Sequence, residues 1–278
     1  KNKIDNMNLN IIGGSGFIGT FLISQLLKSY DKSNIKILDI SKSSEFPDLV
    51  KFCDVRSKEE LQQTIENGSV LINLAAEHRD DVSPVSLYYE VNVDGAVNIC
   101  EIAREKNIKT IIFTSSVAVY GFAPIGTNEN GAINPFNDYG KSKYKAEQIY
   151  KSWQAECPDE RTLVIIRPTV VFGENNRGNV YNLIKQIASK KFIMIGSGNN
   201  IKSVAYVENI AAFLKHSLKF RAGAHIFNYV DKPDYNMSDL IKSIKSFLGL
   251  STKVNLRLPY SVAIIIGKCF DILSVITG

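Results

Sequence analysis

The chain has 278 residues, 45% hydrophobic and 22% charged, the balance of a soluble globular protein with room for one large core or two smaller ones. Its net charge of +5, read as spread along the sequence, excludes the clustered basic footprint of a nucleic-acid binder and suits a small anionic substrate. Cys53, Cys100, Cys157 and Cys269 stand far apart with no CxxC or Cys/His cluster. That spacing excludes an ordinary metal site and points to buried thiols in a reducing, cytoplasmic compartment.

The polar start, residues 1–8, is not the apolar core of a signal peptide. A short apolar run, residues 9–12, leads into Gly13, Gly16 and Gly19, and an amphipathic segment with Leu22 and Leu26 on one face follows. That reads as strand, tight turn, helix. Such a turn brings backbone N–H groups to an anionic pyrophosphate at the positive end of a helix dipole. A Cβ at Gly13 or Gly16 is expected to obstruct the turn or the ligand, and one at Gly19 to push the helix off the strand. The next apolar run, residues 35–38, ends in Asp39, twenty residues past Gly19. A dinucleotide fold places there the acid that binds the adenosine ribose.

A strand is expected over residues 52–56. Ser57 with Glu60 three residues on reads as a capping box for a helix over 58–67. Residues 70–74 form a continuous apolar run, a strand buried on both faces, ending in Ala75 and Ala76, whose small side chains let a cofactor lie against the strand end. A helical period over 85–106 turns Val93, Val97, Ile99 and Ile102 inward. The strand at 110–114 ends in Ser115 and Ser116. Residues 124–138 form a long loop, of a length more often functional than idle. A helix over 139–153 and a strand over 163–166 complete an alternation that predicts an α/β, Rossmann-type, doubly wound parallel sheet. Beyond Gly173 come helices at about 180–190, 207–219 and 237–248, a run at 192–195, and strands at 226–229 and near 253–257. We assign 1–172 to a dinucleotide-binding domain, to which 203–229 returns, and 173–278 to a smaller, interleaved C-terminal substrate domain. The apolar stretch 258–276 is broken by Lys268 and Asp271, so its uncharged run falls short of the ~20 residues a membrane span needs. It reads as a packed helix, with an interfacial helix as the alternative.

Tyr139 and Lys143 are four apart on one helix face. A fixed positive charge beside a phenol favours the phenolate, which makes Tyr139 a general base toward a substrate hydroxyl. A serine hydroxyl after the central strand can hydrogen-bond the reacting oxygen and relay the proton.

Gly13-x-x-Gly16-x-x-Gly19, Asp39, Asp54-Val55-Arg56, Leu74-Ala75-Ala76, Ser115-Ser116-x-x-Val119-Tyr120-Gly121, Tyr139-x-x-x-Lys143 and Arg167-Pro168 occur in that order. Together they resemble the extended short-chain dehydrogenase/reductases, specifically the NAD-dependent nucleotide-sugar epimerase/dehydratase group, over roughly residues 8–248. The resemblance implies that Gly13, Gly16, Phe17, Ile18 and Gly19 hold the pyrophosphate, Asp39 the ribose, and Asp54 and Val55 the adenine region. Leu74, Ala75, Ala76, Asn92, Thr114 and Pro168 border the cofactor. Tyr139 is the base, Lys143 its partner and cofactor anchor, and Ser116 the relay. His78, Ser116, Asn175, Arg177 and Lys202 face the substrate. Asp39 favours NAD over NADP, because a carboxylate repels a 2′-phosphate. Dehydratases of the group carry Asp-Glu after the active-site hydroxyl residue; here Val117-Ala118 follows Ser116, which disfavours dehydration.

The implied activity is 4-epimerisation of a nucleotide sugar, a UDP-sugar foremost, through a 4-keto intermediate, in polysaccharide synthesis. The alternatives are a 4-keto nucleotide-sugar reductase, a hydroxysteroid dehydrogenase-like oxidoreductase and a non-catalytic NAD-sensing module. The resemblance also implies a homodimer through the helices at 85–106 and 139–155. No metal, nucleic-acid partner or membrane span is expected.

Overall fold

The computed structural model describes residues 7–79, 81–253, 256–262 and 264. In chain order the main elements are β1 (Leu9–Ile12), α1 (Phe17–Leu26), β2 (Ile35–Asp39), β3 (Val50–Phe52), α2 (Lys58–Thr64), β4 (Val70–Asn73), α3 (Ser86–Tyr89), α4 (Gly95–Glu105), β5 (Thr110–Thr114), α5 (Asp138–Ala155), β6 (Thr162–Pro168) and β7 (Val170–Phe172). They continue as α6 (Asn179–Ala188), β8 (Met194–Ile195), β9 (Ile201–Tyr206), α7 (Val207–Ser217), β10 (Gly223–Tyr229), β11 (Asp231–Asn236), α8 (Met237–Phe247) and β12 (Arg257–Leu258). The chain divides into two compact units, Lys1–Gly173 with Ala205–Val230, and Glu174–Val204 with Asp231–Gly278.

The first unit is built on a seven-stranded parallel sheet of order β10-β6-β5-β4-β1-β2-β3. The chain direction across the sheet reverses between β1 and β4, so the connections leaving their carboxyl ends diverge and open a crevice there. β1, β4 and β6 are buried along their whole length, so they are mostly apolar with no period-2 alternation, and polar residues they carry, among them Asn10, Asn73 and Arg167, are buried too. Two cores cover the faces. One packs α2, α4 and α5 through Leu61, Ile99, Tyr150 and Trp153. The other packs α1 and α7 through Leu22, Leu26, Ile210 and Leu214.

Several local expectations change. The third strand is Val50–Phe52, and Cys53 to Arg56 lies beyond it. Only half of the capping box forms: the Ser57 hydroxyl accepts from the Glu60 N–H at 3.2 Å, but the Glu60 carboxylate takes the Asp54 N–H at 2.7 Å. The helix over 85–106 is interrupted by a π turn at Glu90–Asp94. The wider turn shifts the phase between α3 and α4. Asn92, Ala96, Ile99 and Ile102 are therefore buried, while Val97 is exposed and Val93 only half-buried.

In the second unit, β11 pairs antiparallel with β9 and β12 parallel with β8. α6 and α8 pack through a small core of Ile187, Met194 and Ile241. The Pro-containing strand β11 carries no alternating pattern and was not expected. The apolar tail lies mostly outside the described residues. Where it is described, Tyr260, Val262 and Ile264 are exposed rather than packed. Among the described residues no helix is long and apolar enough to cross a membrane.

Candidate active site

The glycine turn follows β1. Gly13 has φ +74°, a left-handed conformation, and a Cβ there would come within 2.5 Å of the Ala75 nitrogen. Gly13 is thus required by the backbone leaving β4. A Cβ on Gly19 would meet the Gly14 carbonyl at 2.4 Å, so its role is to let the helix start fold onto the turn itself. Gly14, not singled out from the sequence, is squeezed against Ile11 and Ile37. Gly16 is the N-cap of α1 and gives it no side-chain cap. The N–H groups of Phe17 and Ile18 in the first helical turn therefore stand free of intrahelical bonds.

Asp39 closes β2, and its two oxygens accept from the Ser15 N–H at 3.0 Å and the Ser41 N–H at 2.8 Å. The carboxylate thus ties the glycine turn to the second strand and keeps a lone pair on each oxygen for ribose hydroxyls. Asp54 is engaged by Arg56 in a forked pair, with Arg56 Nη2 at 2.6 Å. That guanidinium holds the carboxyl of Asp54 below the usual carboxylate range. Val55 is buried against Gly95, where a Cβ would come within 2.9 Å of its methyl.

At the exit of β4, Leu74, Ala75 and Ala76 are half-buried. Asn73 turns the chain there: its Oδ1 accepts from the Ala75 N–H and its Nδ2 donates to the Tyr150 hydroxyl at 2.8 Å. Asn92 has a task the sequence did not suggest. Its Oδ1 accepts from the Glu77 N–H, and its Nδ2 donates to the Glu77 carbonyl and to the Ser142 hydroxyl. Both donors are spent on the protein, so Asn92 clamps this exit to α5 rather than offering an N–H to a cofactor. His78 is exposed, 3.4 Å from the Ala76 carbonyl through Nδ1. Arg79 pairs with Glu77 through Nε at 3.3 Å.

The residues expected to react lie where β5 ends and α5 begins. Asn137 caps α5, accepting from the Gly140 N–H at 2.9 Å, so Tyr139 sits in the first turn and is half-buried. Lys143, one turn on, is buried with its ammonium 4.4 Å from the Phe113 ring centre. Loss of solvation lowers its pKa to about 7, opposed by the negative charge of Glu147. The two serines divide the work. Ser115 is buried and donates to Glu147 Oε1 at 2.6 Å. The Ser116 oxygen accepts from the Ala118 N–H at 3.1 Å, which leaves its own O–H able to donate. Thr114 and Thr169, at the carboxyl ends of β5 and β6, each have a buried hydroxyl oxygen with no hydrogen-bond partner. Pro168, the last residue of β6, is buried between them in sequence.

Glu147 was not singled out from the sequence, and Arg167 only as part of the Arg167-Pro168 motif. Arg167 donates to both Glu147 oxygens and, through Nη1, to the Tyr120 hydroxyl at 2.5 Å; that hydroxyl donates to Asn228 on β10. One sequence signal existed: Tyr139, Lys143 and Glu147 repeat at one-turn spacing. The substrate candidates Asn175, Arg177 and Lys202 lie in the second unit. Asn175 has φ +67°, Arg177 is exposed, and Lys202 is exposed on β9 opposite Tyr235.

Residues 10–259 match the family model described as the 3-beta hydroxysteroid dehydrogenase/isomerase family. The chain is 50% identical over 275 residues to the N-acetyl-alpha-D-glucosaminyl-diphospho-ditrans,octacis-undecaprenol 4-epimerase of Escherichia coli O157:H7, covering 98% of this chain and 82% of that one. It is 27% identical over 282 residues to a UDP-glucose 4-epimerase of Vibrio cholerae, covering 96% and 84%. Among solved structures, the UDP-glucose 4-epimerase of Thermus thermophilus in complex with NAD matches with a TM-score of 0.74 at 21% identity, covering 91% and 86%. That likeness is one of fold.

Proposed function

Since the chain belongs to the 3-beta hydroxysteroid dehydrogenase/isomerase family, we propose that it is an NAD-dependent 4-epimerase of a sugar held by a diphosphate, with N-acetylglucosaminyl diphosphate on a polyprenol as the substrate. The carrying observation is the arrangement at the end of β5: Ser116 with an available O–H, and Lys143 buried on Phe113 one turn from Tyr139. The choice of carrier follows the relative of 50% identity, which acts on a lipid-linked sugar. A UDP-sugar, the expectation from sequence, is the second reading, favoured by the more distant relative from Vibrio cholerae.

The residues present fit NAD. The uncapped start of α1 offers N–H groups to a pyrophosphate. Asp39 retains lone pairs for free ribose hydroxyls, and Thr114 has a buried hydroxyl in want of a partner. When bound, NAD supplies the acceptor and donor of hydride at the sugar's C4. The chain's own residues do the rest. Tyr139 takes the C4 hydroxyl proton and returns it. Ser116 donates to that oxygen. Lys143 places a positive charge within one helical turn of the phenol, and a phenolate forming there favours the charged lysine in return.

We also place the protein in the cytoplasm, in polysaccharide biosynthesis, as a homodimer. The buried free thiols Cys53 and Cys100 suit a reducing compartment, and Val97, exposed on α4, is an apolar residue a dimer would cover. Sedimentation velocity tests the dimer.

The decisive experiment supplies N-acetylglucosaminyl diphosphoryl undecaprenol in detergent, and separately UDP-GlcNAc and UDP-Glc, without added reductant. Conversion of the lipid-linked sugar to its C4 epimer supports the proposal. Conversion of the UDP-sugars alone selects the second reading. Turnover confined to a 4-keto sugar with added NADH or NADPH would identify a reductase instead.

A further inference from the structure

The positive charge of the chain is not evenly spread. The second unit holds eleven Lys and Arg against five Asp and Glu, whereas the rest of the chain has 22 against 23. Asp234 pairs with Lys232 and Asp239 with Lys242 inside the unit. Large exposed apolar side chains collect in the same unit. β8 shows how: Met194 enters the small core, while Ile193 and Ile195 on either side of it remain 45% and 54% exposed. β12 lies alongside in parallel register, with Arg257 opposite Met194 and Leu258 opposite Ile195. Leu256 and Tyr260, flanking β12, are exposed at 58% and 69%. Lys190 and Lys191, both exposed, lead directly into this surface.

We propose that this face of the second unit docks the protein onto an anionic phospholipid surface. Exposed isoleucine, leucine and tyrosine side chains next to the exposed Lys190 and Lys191, on a unit with an excess of cations, match both layers of such a surface. The apolar groups enter the boundary between headgroups and acyl chains, and the cations sit among the phosphates. Charge selects this occupant over a second copy of the chain, because two units of the same strong positive sign repel each other. The site uses only described residues and needs no spanning helix. The inference rests on the lipid-linked reading for its purpose: a polyprenol keeps its diphosphate sugar at the bilayer surface, and a docked enzyme meets it there.

The test sediments the full chain with vesicles of phosphatidylcholine alone and of phosphatidylcholine mixed with phosphatidylglycerol, across a salt series. The expected result is binding to the mixed vesicles that falls as salt rises. Lys190→Glu with Lys191→Glu should weaken it at least ~tenfold. Ile193→Ser with Ile195→Ser, at exposed positions that leave the fold intact, should weaken it comparably. Failure to bind, equal binding to neutral vesicles, or binding untouched by both pairs of substitutions overturns the proposal. So does a vesicle-free dimer that the isoleucine substitutions disperse, since a second copy would then cover the face. Epimerisation in detergent is measured in parallel on the same variants. Its loss in the unaltered protein sinks the functional reading and leaves vesicle binding to be judged separately.

Discussion

Arg167 on β6 and Glu147 on α5 meet as a two-pronged ion pair sealed from solvent, with Nε and Nη2 at 2.8 and 2.6 Å from the two carboxylate oxygens and side-chain exposures of 2% and 0%. The pair joins the helix that carries Tyr139 and Lys143 to the strand beside β5. It also receives the Ser115 hydroxyl. These charged and polar groups tie α5 to the ends of β5 and β6.

Removing one partner leaves the other charge buried and unpaired. Glu147→Gln is expected to lower unfolding free energy by about 3–5 kcal/mol. Urea denaturation measures it. A loss below about 1 kcal/mol would mean the pair does not hold the helix. Replacing both residues together by apolar ones should recover much of the loss, because a buried pair and a packed apolar pair differ little in net stability.

Lys143 gives a pH signature. Its pKa in the fold is lowered from 10.5 to about 7 by burial. Between those values the unfolded chain binds a proton that the folded chain does not, so stability without cofactor should rise as pH increases through that window. Lys143→Met should flatten the rise. Denaturation midpoints at successive pH values decide the matter, and equal slopes for wild type and variant would contradict it.

Adjacent serines should behave differently. Ser116→Ala is expected to cut kcat by about 10²-fold or more, while leaving the urea midpoint nearly unchanged. Ser115→Ala should do the reverse, costing about 1.5–3 kcal/mol of stability through the lost bond to the Glu147 carboxylate. Steady-state kinetics beside denaturation separates the two. A Ser115→Ala enzyme as inactive as Ser116→Ala at full stability would reverse the assignment.

Asp39→Ala removes the acceptor for the Ser15 and Ser41 N–H groups as well as for a ribose. NAD affinity should fall about 10–100-fold, the worth of one charged hydrogen bond or two. The preference for NAD over NADP should narrow, since the repulsion of a 2′-phosphate goes with the carboxylate. Calorimetric titration with both dinucleotides reads this; unchanged affinity for NAD would remove Asp39 from the site.

The alternation of buried strands with helices made the parallel sheet legible, because strand burial and helix phase are written in neighbouring residues. The same holds for the glycine turn and for Tyr139 and Lys143 on one helix face. The second unit was harder. β11 contains Pro233 and no period-2 pattern, and its identity as a strand comes from its partner β9.

What the sequence determined by itself is therefore local: which segments form strands and helices, where the chain must turn through glycine, and which side chains share a helix face. The tertiary structure alone decided which partners those side chains take. It spent Asn92 on Glu77 and Ser142, because a π turn rotates it inward. It committed Ser115 rather than Ser116 to Glu147, aimed Arg167 at that same carboxylate, and made Gly13 answer to the backbone of Ala75. The reason is range. Backbone preference and hydrophobic period act over a few residues, whereas a buried polar atom must find its partner wherever packing places one, here 15 to 50 positions away along the chain.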